Sequence, residues 1–280
     1  MNPSNQRTVL VTGCSSGIGY CVAKGLLARG YRVFATARRA EDIARLQAEG
    51  LETLLLDLND SVSIQHAVTQ LLSQTGGKLY GLFNNAAYGQ PGAVEDLSRQ
   101  ALREQFETNL FGTHELTTLV LPVMRRQGEG RIIHNSSILG MVAMPMRGAY
   151  NASKFALEGL TDTLRIELQG TNIGVSLIEP GPIRSRFRAN AFAMYKKHIN
   201  PTNSPHQAHY QQAEARLQKQ GDAAPFTLPP EAVLKRVIHA LEAKQPQIRY
   251  YVTIPTYFLT TLKRLLPYRV MDWIIRRLPA

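Results

Sequence analysis

Cysteine is almost missing from these 280 residues: Cys14 and Cys21 are the only two. Two thiols cannot build a disulfide framework, so a reducing compartment is expected. Long apolar runs are also lacking. No stretch of about 18 charge-free apolar residues occurs, which excludes an ordinary spanning helix. The polar start, Met1 to Arg7, has no hydrophobic signal core, and the expected location is cytoplasmic. Internal repeats and low-complexity tracts are absent. Acid is scarce, with 21 Asp and Glu against 32 Lys and Arg and a net charge of +11. Such a surplus normally raises nucleic acid or a membrane as partner. Its placement is uneven, however. Residues 181–220 hold seven Lys and Arg against Glu214 alone, and residues 245–280 hold six against Asp272 alone. Those two segments account for the whole excess. The body of the chain is neutral and carries no recognition motif, so no nucleic-acid partner is expected.

What is present is an alternation. Near-continuous apolar runs at Arg7–Thr12, Tyr31–Thr36, Leu51–Leu56, Leu79–Asn84, Arg131–Ser136 and Ile173–Ile178 read as strands buried on both faces. Helical patterns lie between them, at Gly17–Arg29, Ala40–Glu49, Ser61–Thr75, Ser98–Gln127 and Ala149–Gln169. Several end on glycines suited to C-terminal caps. This rhythm predicts an α/β fold: a Rossmann-like, doubly wound parallel sheet of seven strands, order 3-2-1-4-5-6-7, with helices on both faces. One domain over residues 1–280 is expected. Residues 181–228 show no clear strand and read as a lid or flexible insertion over the site. Pro229-Pro230-Glu231 opens a helix to about Ala243, Ile248–Ile254 reads as the seventh strand, and residues 255–280 read as two short basic amphipathic helices broken at Pro267.

Chemistry gathers at a few places. The first strand ends in Thr12-Gly13-Cys14-Ser15-Ser16-Gly17-Ile18-Gly19 and feeds a helix. Glycines there permit a tight turn and close approach of backbone to a pyrophosphate, while the helix N-terminus offers free N–H groups. At the end of the second strand stand Arg38 and Arg39, where an enzyme for the unphosphorylated dinucleotide would place an acid. Guanidinium forks suit a 2′-phosphate instead, so NADP(H) is preferred over NAD(H). Tyr150 and Lys154 lie four apart near a helix start and project from one face. A cation beside the phenol is expected to lower its pKa and make it a general acid/base. Ser136 and Ser137 end the fifth strand, at the sheet edge where ligands bind. His114 and His134 read as structural. His198, His206 and His209 read as solvated loop residues, and with no third ligand at metal spacing no metal is expected. Cys14 reads as a small hydrophobe.

Together these residues resemble the short-chain dehydrogenase/reductase family in its compact single-domain form, over roughly residues 7–190. Thr12–Gly19 fits TGxxxGIG, Asn84-Asn85-Ala86 fits the start of NNAG, and Tyr150–Lys154 fits YxxxK with Ser137 thirteen residues before it. Asn109 matches the family's fourth-helix asparagine and Pro180-Gly181 its PG turn. The resemblance implies that Tyr150 protonates the carbonyl oxygen as hydride arrives from the nicotinamide. Lys154 would bond the nicotinamide ribose, Ser137 would position the carbonyl, and Asn109 would hold a water in a proton relay. It further implies that Asp57, with Leu58, contacts adenine, that Asn84 and Ala86 line the cofactor, and that backbone near Ile183 holds the carboxamide. Ala87 departs from the glycine of NNAG and Ser185 from the common threonine; a small rearrangement is expected, not lost binding. Within the family, GEGRII (128–133), SLIEPGPIR (176–184) and KRLLP (263–267) resemble bacterial YbbO-type aldehyde reductases, and more distantly the retinol and 17β-hydroxysteroid dehydrogenases. Such a resemblance implies a hydrophobic carbonyl or alcohol substrate.

The resemblance implies that the apolar-striped helices Ser98–Gln127 and Ala149–Gln169 form the interface of a homodimer or homotetramer; burial against their own sheet explains much of the same pattern. The tail admits two readings. Apolar residues with a basic rim and Trp273 suit an interfacial helix on an anionic membrane, and the same pattern suits a helix packed over the substrate pocket. The rival to catalysis is a dinucleotide-binding regulatory or scaffold protein without turnover. Retention of Ser137, Tyr150 and Lys154 together argues against it.

Overall fold

The computed structural model describes residues 6–278, so Met1 to Asn5, Pro279 and Ala280 at the edges of the expected domain lie outside the described residues. Seven parallel strands form one sheet: β1 (Thr8–Val11), β2 (Arg32–Ala37), β3 (Glu52–Leu55), β4 (Gly81–Asn84), β5 (Gly130–Asn135), β6 (Ile173–Glu179) and β7 (Arg249–Tyr251). Their spatial order is β3-β2-β1-β4-β5-β6-β7, as expected. Val11 pairs with Ala35 of β2 on one side and Phe83 of β4 on the other. The chain therefore reverses its direction of winding at β1, and the C-terminal ends of β1 and β4 splay into a crevice.

Strand periodicity divides the core in two. Val9 and Val11 point to one face with Val22, Leu26, Val233, Val237 and Leu241. Leu10, between them, points to the other with Ile64, Leu71, Leu116 and Val120. Helices α1 (Gly17–Ala28) and α9 (Glu231–Glu242) cover the first face, and α3 (Ser61–Thr75) with α5 (Gly112–Gln127) the second. Helix α2 (Ala40–Ala48) links β2 to β3. Each fully buried Leu or Val contributes about 1.5–3 kcal/mol, so with both sheet faces covered the strands need no alternating polar side.

Three elements differ from expectation. Ser98–Gln127 is not one α-helix: α4 (Arg99–Phe106) passes through a π-helical turn, Glu107–Phe111, before α5. The extra residue lets Gly112 press against the carbonyl of Leu58, where any side chain would collide. The seventh strand is only three residues long because Ile254 already starts α10 (Ile254–Leu265). The 181–228 segment is helical, with α7 (Phe187–His198) and α8 (Gln207–Gln218). A backbone bridge pairs Ile183 with Leu228, so both ends of this lid meet. Helices α6 (Gly148–Glu167) and α11 (Tyr268–Ile275) complete the fold. No described helix is long and apolar enough to cross a membrane.

Candidate active site

The crevice opens into a cavity of about 1270 Å³ bounded by the ends of β1, β2, β4, β5 and β6, the start of α6, the lid and the tail. Its β1 end is the glycine-rich turn between β1 and α1. Gly13 (φ 72°) brings its Cα against Ala86, a position where a Cβ would strike backbone. Ser15, Ser16 and Ile18 line the cavity. Gly17 and Gly19 do not; they make the turn compact, Gly17 under Ser185 and Gly19 against the Gly13 carbonyl. Ser16 begins α1 without a side-chain cap, leaving the first N–H groups for a ligand.

Threonine and two asparagines, which sequence reasoning passed over, tie this turn to the Tyr150–Lys154 end of the cavity. The Thr12 hydroxyl accepts hydrogen bonds from the N–H groups of Asn85 (2.8 Å) and Ala86 (2.9 Å). Asn85 donates to the Thr12 carbonyl (2.9 Å) and accepts from Asn135 Nδ2 (3.0 Å). The Asn135 carbonyl then accepts from Lys154 Nζ at 2.8 Å. Thr12 and Asn85 sit inside the quoted motifs and Asn135 directly precedes Ser136, so adjacency to those motifs was the available signal.

Of the two guanidiniums at the end of β2, Arg38 lines the cavity and makes no ion pair with any described residue. Arg39 is turned away, bonded to Asp42 (3.0 Å) and paired with Glu41 (3.2 Å). Leu58 lines the cavity, but Asp57 does not: its carboxylate accepts the Asn59 N–H in a tight turn. Asn84 lies beneath the floor, donating to Thr117 (2.9 Å) and bonded to His134 (3.2 Å); Ala86 and Ala87 line the cavity in its place. Pro180, Gly181, Ile183 and Ser185 all line it.

Beyond β5, Ser137 and the Tyr150 and Lys154 side chains line the cavity wall together. Ser137 Oγ accepts the Leu139 N–H (3.1 Å), which leaves its own proton to point at a ligand. Tyr150 packs edge-on against Phe187 at 5.4 Å. Lys154 Nζ stands 5.8 Å from the Tyr150 ring centre. Asn109, on the π turn, is buried away from the cavity; its side chain donates to the Tyr88 carbonyl (3.0 Å) and Ser153 Oγ (3.1 Å).

The electrostatics correct one expectation. Tyr150 is not acidified: burial pushes its pKa up to about 12, with the Ser137 hydroxyl and then the Arg147 guanidinium pulling it back only in part. Burial pushes Lys154 down to about 8, Glu158 opposing. Desolvation outweighs the neighbouring cation, so at neutral pH the phenol holds its proton. Cys14 is buried and its thiol pushed up to about 12, an unreactive state. His134 is buried and held near 3 by desolvation, then by Lys154 and His114, so it is neutral. Two of the three lid histidines are less solvated than expected, His198 bonding Glu104 (3.0 Å) and His206 bonding Glu95, while His209 is exposed.

The tail lies over the cavity. Leu259, Met271 and Ile275 pack on Ile138, Leu139, Val142 and Tyr150, and Ile254, Phe258 and Leu278 contribute wall.

A family model described as short chain dehydrogenase matches residues 7–196. The chain belongs to the short-chain dehydrogenase family. This oxidoreductase is 44% identical over 271 residues to "Uncharacterized oxidoreductase YbbO" of Escherichia coli K12, covering 97% of this chain and 94% of the relative. Identity is 34% to retinol dehydrogenase 8 of Homo sapiens (92% and 85% covered). It is also 34% to an NADPH-dependent 3-dehydrocapnine reductase of Ornithobacterium rhinotracheale (96% and 95%). Among solved structures, a short-chain dehydrogenase from Streptomyces avermitilis superposes with a TM-score of 0.76 at 28% identity, covering 96% of each chain.

Proposed function

We propose that this short-chain dehydrogenase is an NADP(H)-dependent carbonyl reductase acting on apolar aldehydes or ketones, in one domain with a helical lid. The observation that carries the reading is a buried Tyr150 facing the same cavity as Ser137, Lys154 and the glycine-rich turn, where burial favours the protonated phenol. The fit to a dinucleotide rests on the Gly13 cradle, the uncapped start of α1 and the unpaired Arg38. When bound, the nicotinamide supplies the hydride. Ser137 donates to the carbonyl oxygen and orients it, and Tyr150 gives up its proton as negative charge develops there. Lys154, fixed on the Asn135 carbonyl, holds positive charge beside the phenolate that remains. Gly13, Ser15, Ser16, Ile18, Leu58, Ala86, Pro180, Gly181, Ile183 and Ser185 form the cofactor's walls. In this reading Asn109 acts by fixing the loop at Tyr88.

Substitution Tyr150→Phe tests it. Carbonyl-dependent NADPH oxidation is expected to fall about a hundred- to ten-thousandfold, while NADPH still quenches protein fluorescence with near-native affinity. Unchanged turnover rejects the role. Binding without oxidation by any carbonyl in a panel of aldehydes, retinal and ketosteroids favours the regulatory alternative.

Two finer readings belong here. Phe111, Leu160 and Ile166 leave apolar surface exposed on the π turn and α6, which supports a homo-oligomer; sedimentation as a monomer at micromolar concentration ends that idea. The outer face of the tail exposes Tyr257, Leu265, Tyr268 and Trp273 beside Arg264, Arg269 and Arg277, which supports peripheral contact with an anionic membrane. A chain that stays wholly in the supernatant with anionic vesicles at low salt refutes it.

A further inference from the structure

The cavity carries more positive charge than a dinucleotide site requires. Among the charged side chains that line it, Lys197 is paired with Glu104, Arg184 with Asp222, and Arg188 is spent on the carbonyls of Arg216, Lys219 and Gly221. Of the rest, besides Arg38 and Lys154, three arginines have no carboxylate partner among the described residues: Arg186, which is exposed, and Arg147 and Arg216, which are not. The Arg147 guanidinium makes its one hydrogen bond among the described residues to the Met144 sulfur (3.0 Å), and Arg216 leaves its Nε buried and unbonded. Their chain neighbours Met146 and Leu217 pack on one apolar cluster. Burial, and then Arg216, lowers the Arg147 pKa to about 10; burial, and then Arg188, lowers that of Arg216.

The backbone is built to keep them there. Met146, next to Arg147, takes φ 60°, a left-handed conformation costly for a non-glycine residue. Its carbonyl is held by the Gly92 N–H at 2.9 Å. On the lid, Arg188 clamps the backbone at Arg216. These elements, the start of α6 and α8, contribute nothing to the phosphate turn at β1, so the cofactor's phosphates have their own donors. Arg147 is three residues before Tyr150 and its charge is felt there. The same cavity is also lined by apolar side chains, among them Met144, Leu217, Phe226, Phe258 and Leu259.

We propose that the substrate is an anionic amphiphile, whose carboxylate, sulfonate or phosphate is gripped by Arg147 and Arg216 close to the carbonyl, with an apolar chain running along the lid and tail. Paired unneutralised guanidiniums in a desolvated pocket are what such an oxyanion needs, because Arg offers bidentate charge-assisted bonds. The inference rests on the carbonyl-reductase reading for the word substrate, and the anion site itself does not.

The test has a binding arm and a turnover arm, both on the full chain with saturating NADPH. In the first, a medium-chain alkanesulfonate, the matching alkyl phosphate, the matching fatty acid and the matching alcohol are titrated by calorimetry. At least one anion is expected to bind about ten- to a hundredfold more tightly than the alcohol, and the best of the three names the head-group chemistry. Arg216→Met, and separately Arg147→Met, should each erase most of that advantage, and Arg147→Lys should keep part of it. Anions that bind no better than the alcohol, or an advantage that survives both substitutions in folded protein, overturn the site. In the second arm, medium-chain ketones bearing each of the three anions are compared with neutral ketones of the same length. Preference for the charged ketone supports the inference. Equal turnover of both overturns it while leaving the reductase reading intact; anion binding with no turnover of any carbonyl removes that reading and leaves the anion site standing.

Discussion

At the residue scale, Tyr150 shows how burial and charge compete. The i, i+4 spacing to Lys154 correctly brought phenol and ammonium to one wall, but spacing carries no information about desolvation, and desolvation wins here. A phenol pushed up to about 12 is a proton donor at neutral pH, not a base. Arg38 shows the converse limit. Sequence placed two arginines at the end of β2, and only the positions of Glu41 and Asp42 reveal that Arg39 is already neutralised. The proposed preference for a 2′-phosphate therefore falls on one side chain. Arg38→Asp is expected to weaken NADPH binding about tenfold or more, since a charge-assisted bond is lost and a repulsion gained. NADH binding should change little, and fluorescence titration with the two cofactors checks it. An equal effect on both counts against the assignment.

At the element scale, the strands and the helices between them were legible because each buries a periodic apolar face against the sheet. The lid was not. Helices α7 and α8 bury little of their own: Ala191 and Tyr195 from one, Tyr210 and Ala213 from the other. Beyond a small apolar cluster with Ala93 and Ile199, many of their contacts are polar pairings to distant segments, such as Lys197 and His198 with Glu104, which leave no period in the sequence. Tyr210 is the chief of these. Its hydroxyl donates to Asp96 (2.6 Å) and accepts the Ala93 N–H (2.9 Å), while Ser204 also bonds Asp96 (2.7 Å). The lid is thereby latched to the loop after β4. Tyr210→Phe strands the Ala93 N–H and should loosen that latch by about 1–3 kcal/mol. The expected result is faster hydrogen exchange and proteolysis across 187–228, a raised KM for the carbonyl, and NADPH affinity near native. Unaltered exchange in the lid shows that the apolar contacts among Tyr195, Ile199 and Tyr210 hold it alone.

At the scale of the whole molecule, stability against pH is set by buried groups that pull in opposite directions. His134 is neutral in the fold, its pKa lowered to about 3 from 6.5, so stability is full above 6.5 and drains away as pH falls toward 3. Glu179 is the opposite case. Burial, with Glu158 beside it, raises its pKa to about 8 even though Arg249 contacts both carboxylates. A carboxyl that stays protonated in the fold binds a proton the unfolded chain has released, so its contribution is full below about 4.5 and is lost as pH rises through 8. Between those limits the two slopes oppose. Urea midpoints are therefore expected to climb from pH 3.5, flatten between about 4.5 and 6.5, and decline toward 8, each slope near 1.4 kcal/mol per pH unit where one proton alone is exchanged. Glu179→Gln should remove the decline above neutrality, because an amide has no proton to lose, and His134→Gln should flatten the acid limb. If both variants kept the parent's profile, these two groups would not be the ones that exchange protons on unfolding, and the acid side would rest on surface carboxylates such as Glu104, held near 2 by Lys197, Gln100 and His198.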